Sequence, residues 1–440
     1  MKKFAVLALA GLLVIMFTMP AAALENVFGG YWRTRFYTNQ HFTGNDKDQL
    51  ETKPDGTHTH DQNGVVVLGS KTKIKRNSGL TRMDTRARLY YTAILNDNLK
   101  FVSKFEMDAT FGDQSGYGDI GADGVDLEIK NSYVDFSLGA VNAKVGVQGG
   151  SLARGFIFDD DFSGAVVSFG SGGVNIPLMW VKAFDEDSTA NKRDVDYFVV
   201  SPSFSAGAVN INPFGMYVFS DNASTWGKTA AFNDVDIYYA GANIDVNLGA
   251  VSLWGTGIYQ GGEVELNGTD TKQDIKAWLG AGGLTLGLGG AADLHGQFVY
   301  ASGDDGKGSD IENFFVPKGQ SYYWSEIMGL GTFDGQSSNN SPEDKISNIM
   351  IANLGTTIKP TADLKISLDA WWAQFVEDID VNGSMENDLG IEANVKITYT
   401  LVQGLNLDLV GAYLFAGDAT YKGDDGEDPF EIGTRLSLSF

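Results

Sequence analysis

Apolar and polar residues alternate with period two over most of this chain. The pattern is cleanest at 388–401, where Leu389, Ile391, Ala393, Val395, Ile397, Tyr399 and Leu401 interleave with Asp388, Gly390, Glu392, Asn394, Lys396, Thr398 and Thr400. Successive side chains of a β-strand point to opposite faces, so such a segment is a strand with one oily and one wet face. Segments 80–93, 99–109, 405–415 and 430–440 read the same way. Each is ten residues or longer, whereas strands of ordinary globular proteins are about five or six residues long.

The connections alternate in length. Short turns are predicted at 96–98, 139–142, 171–173, 289–292, 359–363 and 402–404. Long polar segments lie between them at 39–78, 110–125, 149–162, 220–233, 303–346 and 417–429. The repeating unit is strand, short turn, strand, long loop. It gives eighteen strands, with sixteen as the alternative because 194–220 and 272–292 are weakly patterned. No linker or domain boundary interrupts residues 24–440. Trp32, Tyr90, Tyr91, Trp180, Tyr217, Phe219, Trp372, Tyr399, Tyr413 and Phe415 fall near predicted strand ends, where membrane barrels carry aromatic belts.

In the last segment Phe430, Ile432, Leu436, Leu438 and Phe440 share one face, and the chain stops on the aromatic Phe440. That ending resembles the final strand of Gram-negative outer-membrane β-barrels. The resemblance implies an all-β, antiparallel, up-and-down transmembrane barrel with short turns on the periplasmic side and long loops outside. At the other end, Lys2 and Lys3 precede an apolar run from Phe4 to Met19, Pro20 and then Ala21, Ala22 and Ala23. A positive start, an apolar run and small residues predict a secretory signal peptide over 1–23. The expected location is the bacterial outer membrane.

Composition narrows the partners. The formal charge is −24, and −26 once Lys2 and Lys3 are removed. Nucleic acid is therefore not expected, since phosphates recruit Lys and Arg. The chain has no Cys, which excludes disulfides, thiolate metal sites and c-type haem attachment. Its 55 Gly, 9 Pro, 27 Phe, 17 Tyr and 8 Trp suit many strands, tight turns and aromatic girdles.

The polar parity of the first strands carries the candidate chemistry. Arg33 and Arg35 alternate with Trp32, Thr34 and Phe36. Arg82, Arg86 and Arg88, with Asp84, alternate with Met83, Thr85, Ala87 and Leu89. Lys100 and Lys104, with Glu106 and Asp108, alternate with Phe101, Phe105 and Met107. A charged residue on the lipid face costs about 2–4 kcal/mol at the bilayer midplane, so the ionised parity is expected to face the lumen. Seven cations would then stand on one wall of a hydrated bore.

The segment 153–164, which follows the fifth predicted strand, holds Arg154, Phe156, Phe158, Asp159, Asp160, Asp161 and Phe162. By position and charge it is similar to the inward-folded constriction loop of Gram-negative general porins, although the Pro-Glu-Phe-Gly pattern of many such loops is missing. The resemblance implies that the three aspartates face the basic wall and that the phenylalanines pin the loop. The alternatives are an exposed acidic loop and a divalent-cation site.

Enzyme chemistry is not expected. His58 and His60 lie in a polar loop with Asp46, Asp48 and Asp61, and His295 falls on the lumen parity without a nucleophile in its local pattern. The resemblance implies a passive porin for small hydrophilic solutes and ions, with outer-membrane lipid and lipopolysaccharide as surroundings. Two further readings stay open: a substrate-selective channel for sugars, organic acids or polysaccharide, in which Trp254 and Trp371 could guide a sugar, and a barrel sheath around a periplasmic multihaem cytochrome. No cofactor is implied, apart from Ca2+ or Mg2+ at the acidic tips 303–306 and 423–426. The Gly-rich run 280–290 suits packing in a homotrimer.

Overall fold

A computed structural model of the chain describes residues 24–42, 59–60, 66–67, 79–113, 118–120, 127–185, 194–220, 232–266, 271–317, 319, 321–381, 383–420 and 428–440. The signal segment 1–23 and His58, Asp46, Asp48, Asp61 and the tip 423–426 lie outside these residues.

Eighteen antiparallel strands close into one barrel. In chain order they are β1 (Glu25–Gln40), β2 (Leu80–Asn96), β3 (Leu99–Thr110), β4 (Leu127–Leu138), β5 (Val141–Leu152), β6 (Phe158–Ser171) and β7 (Val174–Phe184). Next come β8, in two pieces (Val195–Val200 and Ser203–Ala206), then β9 (Val209–Ser220), β10 (Phe232–Asn247), β11 (Val251–Leu266), β12 (Lys272–Leu288) and β13 (Ala292–Ala301). The last five are β14 (Ile349–Ile358), β15 (Leu364–Val381), β16 (Ser384–Val402), β17 (Leu405–Ala416) and β18 (Phe430–Ser439). Each strand pairs with its sequence neighbours, and β1 pairs with both β2 and β18, so no edge is left open. The Phe440 amide and carbonyl bond to Gly30 and complete that seam.

The two pieces of β8 explain the weak pattern at 194–220. Both pieces pair with β7 and β9, so they are one strand interrupted at Ser201-Pro202. Pro202 has no N–H to give the ladder. The count is therefore eighteen.

The outer face is apolar, and much of the charge is buried. Phe36, Met83, Leu89, Met107, Phe298, Ile391 and Ile432 are exposed on the outer surface, while Arg33, Arg35, Asp84, Glu106, Glu392, Asp408 and Glu431 are buried. A soluble fold reverses this, because exposed apolar surface is costly in water. A wall in hydrocarbon requires it, since every backbone polar group is paired around the closed cylinder. The aromatics Trp180, Tyr217, Phe219, Tyr399, Tyr413 and Phe415 also face outward.

One apolar position departs from the alternation. Leu389 belongs by sequence to the outward set with Ile391, yet it is fully buried inside. The register between β15 and β16 slips at Ala373 and Gln374, opposite Gly390 and Asp388, and Gly390 has φ of 109°. A β-bulge inserts one residue and switches the faces that precede it. Only glycine takes that backbone conformation cheaply.

Candidate functional site

Two segments leave the wall and enter the bore. The first is the end of the β5–β6 hairpin. β4 stops pairing with β5 at Ser132 and Val147, and β7 stops pairing with β6 at Ser163 and Lys182. From Gln148 to Phe162 the two strands ladder only with each other, Gln148 with Phe162 through to Leu152 with Phe158. Freed from both neighbours, this ribbon folds inward and buries Leu152, Phe156, Ile157, Phe158 and Phe162. Its tip, Ala153, Arg154 and Gly155, has three consecutive residues with positive φ. Arg154 reaches the opposite wall, where it pairs with Asp245 at 2.8 Å, donates to Thr256 Oγ1 at 3.1 Å and lies over the Trp254 ring.

The second is the connection between β13 and β14, residues 302–348, which the sequence places outside as a long loop. It lies in the lumen. The Phe315 N–H donates to Gln260 Oε1 on β11, and the Phe315 carbonyl accepts from Tyr239 on β10. Further along, Glu392 on β16 accepts the backbone N–H groups of Glu326, Ile327 and Met328 at 2.8, 3.0 and 2.9 Å. Arg35 on β1 donates to the Phe333 carbonyl and pairs with Asp334. Contacts from β10 around to β1 are attainable only across the bore. The apolar content of this segment was the available signal: Phe314, Phe315, Trp324, Ile327, Met328 and Phe333 are too greasy for a solvated loop, and all but Phe315 are buried.

The two insertions support each other. Phe156 packs on Tyr322 with ring centroids 4.1 Å apart, and Asp159 N–H donates to the Gly319 carbonyl. Tyr322 also donates to Gln297 Oε1 at 3.2 Å, and burial pushes its phenol up to about 12. It therefore stays a donor at any physiological pH.

Arg33, Arg35, Arg82, Arg86, Arg88, Lys100 and Lys104 lie on β1–β3, and partners come from adjacent strands and the 302–348 segment. Arg35 makes a two-pronged pair with Asp84, both bonds at 2.8 Å. Arg86 makes another with Asp108, at 2.7 and 2.6 Å, and Arg88 pairs with Glu106. Arg33 lies 3.5 Å from Asp334. Lys100 lies 3.6 Å from Asp135, and Lys104 sits over the Tyr90 ring. Such forked carboxylate contacts fix a guanidinium in place. Arg33, Arg35, Arg82 and Arg86 surround one cavity of about 520 Å³ with Tyr323 and four carboxylates, Asp84, Asp108, Asp113 and Asp334.

Asp159, Asp160 and Asp161 stand elsewhere. Asp161 pairs with Lys130 on β4 at 3.1 Å and accepts from Asn131, and its N–H bonds the Asp160 carboxylate. Asp160 and Asp161 line a smaller cavity of about 250 Å³ with Lys182 and Gly319. A third cavity, about 380 Å³, is lined by Tyr323, Trp324, Glu326, Trp371, Lys396 and Arg435 among others. Lys396 donates to Thr332 Oγ1 at 3.1 Å, and Arg435 pairs with Asp408 at 2.7 Å. His295 bridges Asp293 and Asp369, at 2.9 and 2.8 Å, across the inner face of β13–β15.

This architecture is shared with solved structures of Pseudomonas aeruginosa proteins. OpdQ superposes with a TM-score of 0.57 at 11% identity, over 94% of this chain and 97% of that one. The fold is that of the outer-membrane porins. OpdK, solved with vanillate, matches with a TM-score of 0.55 at 12% identity over 94% and 98% of the two chains. The outer membrane protein OprD gives 0.55 at 10% identity over 94% and 93%. No protein-family model and no curated protein sequence matches the chain.

Proposed function

We propose that this chain is a passive outer-membrane channel for small hydrophilic solutes, selective for small organic anions. The observation that carries the reading is the cavity in which Arg33, Arg35, Arg82 and Arg86 converge inside a barrel whose outer face is apolar. The overall charge of −24 makes this convergence specific, because an average stretch of the chain is acidic. The acids that flank the arginines hold them in place and limit how tightly any one anion is retained. Conduction needs that balance, since a site must be favourable enough to fill and weak enough to empty. The solved neighbour OpdK holds vanillate, itself a small carboxylate.

The insertions of 148–162 and 302–348 weigh against a sleeve for a cytochrome. Phe156, Ile157, Phe314 and Ile327 are fully buried within the bore, where a docked partner would have to pass.

Planar-bilayer recording of the purified protein tests the reading. Ohmic steps are expected, with a reversal potential on the anion side across a salt gradient. Benzoate is expected to lower the chloride current in a saturable way. Changing Arg33 and Arg86 together to Gln moves the reversal potential toward cations and weakens the benzoate effect. Absence of conductance overturns the channel, and a cation-side reversal potential overturns the anion preference.

A further inference from the structure

We infer that Tyr323 is the aperture of the pore, the one side chain that every solute must pass between an outer and an inner chamber. This rests on the channel reading above. The outer chamber is the arginine cavity, whose Arg82, Asp108 and Thr110 belong to the loop-side halves of β2 and β3. The inner chamber is the cavity lined by Ser367 and Lys396, which belong to the turn-side halves of β15 and β16. Among the described residues lining the two, Tyr323 is the only one in common.

Its position is built. In the extended stretch around it, side chains alternate direction. Tyr322 packs on Phe156 and donates to Gln297. Trp324 is buried edge-on against Trp371 and donates its indole N–H to the Glu343 carbonyl at 2.8 Å. The next residues are clamped by Glu392 through three backbone N–H groups. Tyr323, between two anchored neighbours, is 49% exposed and projects into the open space they leave. A half-exposed aromatic between pinned neighbours is held at its Cα, and Ser321 adds a side-chain hydrogen bond to it. It therefore sets a cross-section that a mobile loop residue could not set.

The absence of native cysteine permits a direct test in the full chain. In bilayers, Tyr323→Ala is expected to raise single-channel conductance about twofold and Tyr323→Trp to lower it, because the limiting constriction governs the resistance of a pore. In Tyr323→Cys, a charged water-soluble methanethiosulfonate is expected to cut the current when added to either side, and the cysteine-free parent gives no response. The inference is overturned if Ala and Trp both conduct like the parent, or if the modified thiol leaves the current unchanged. A parent protein with no conductance removes the channel reading first. A conducting parent with an indifferent position 323 removes only this inference.

Discussion

Glu392→Ala is expected to raise the single-channel conductance several-fold and to make the current flicker. The Glu392 carboxylate is fully buried and accepts three backbone N–H groups from the 302–348 segment. Removing it strands three donors in the bore, at about 1–3 kcal/mol for each buried donor left unpaired. The donors recover their bonds only by reaching water, which means lifting this turn off β16 into the open bore. Glu326 and Lys396 add bonds to Thr332 in the same turn, and these are too few to replace the clasp. The barrel itself keeps its ladder, so heat-modifiable migration in detergent gels stays as in the parent. Glu392→Gln retains an acceptor and is expected to fall between the two. A Glu392→Ala channel with the parent's conductance would show that the clasp does not hold the segment in the bore.

The second large effect is on stability. Arg35→Leu is expected to destabilise the barrel by about 3–5 kcal/mol, the cost of leaving a buried charge without its partner. Arg35 joins three elements: the forked pair with Asp84 on β2, the Phe333 carbonyl and Asp334 on the inserted segment. Its side chain is only 7% exposed, so little solvent screening softens the loss. Adding Asp84→Asn removes one orphaned carboxylate and should recover part of the stability. Denaturant unfolding in lipid vesicles reads both values, and a change below about 1 kcal/mol would place this network with the weak surface pairs.

Much of the architecture is legible in the sequence because a spanning strand is long and its two solvents differ sharply. The alternation at Arg82, Asp84, Arg86 and Arg88 identifies the inner face without any knowledge of strand order. The short turns and the aromatic terminus follow from local chemistry as well. The pairings inside are a different matter. Arg86 meets Asp108 because β2 and β3 register Arg86 opposite Asp108, and that register is set by the turn and the bulge near Ile94. Asp334 reaches Arg35 from a segment roughly three hundred residues away, which no periodic pattern encodes. The 302–348 segment was hidden for the same reason: its apolar residues have no regular spacing, and their partners lie on β10–β16 and β1. Leu389 shows the limit of counting by twos, because one glycine bulge inverts the faces on its loop side.

The central claim is that ionised side chains face a water-filled bore while the alternate positions face lipid. A single-cysteine scan along β2 from 82 to 89, in vesicles, tests it most directly. Arg82, Asp84, Arg86 and Arg88 positions should react with a membrane-impermeant thiol reagent, and Met83, Ala87 and Leu89 positions should resist it and respond instead to a lipid-borne quencher. The opposite phase, or uniform reactivity with no alternation, would contradict the account.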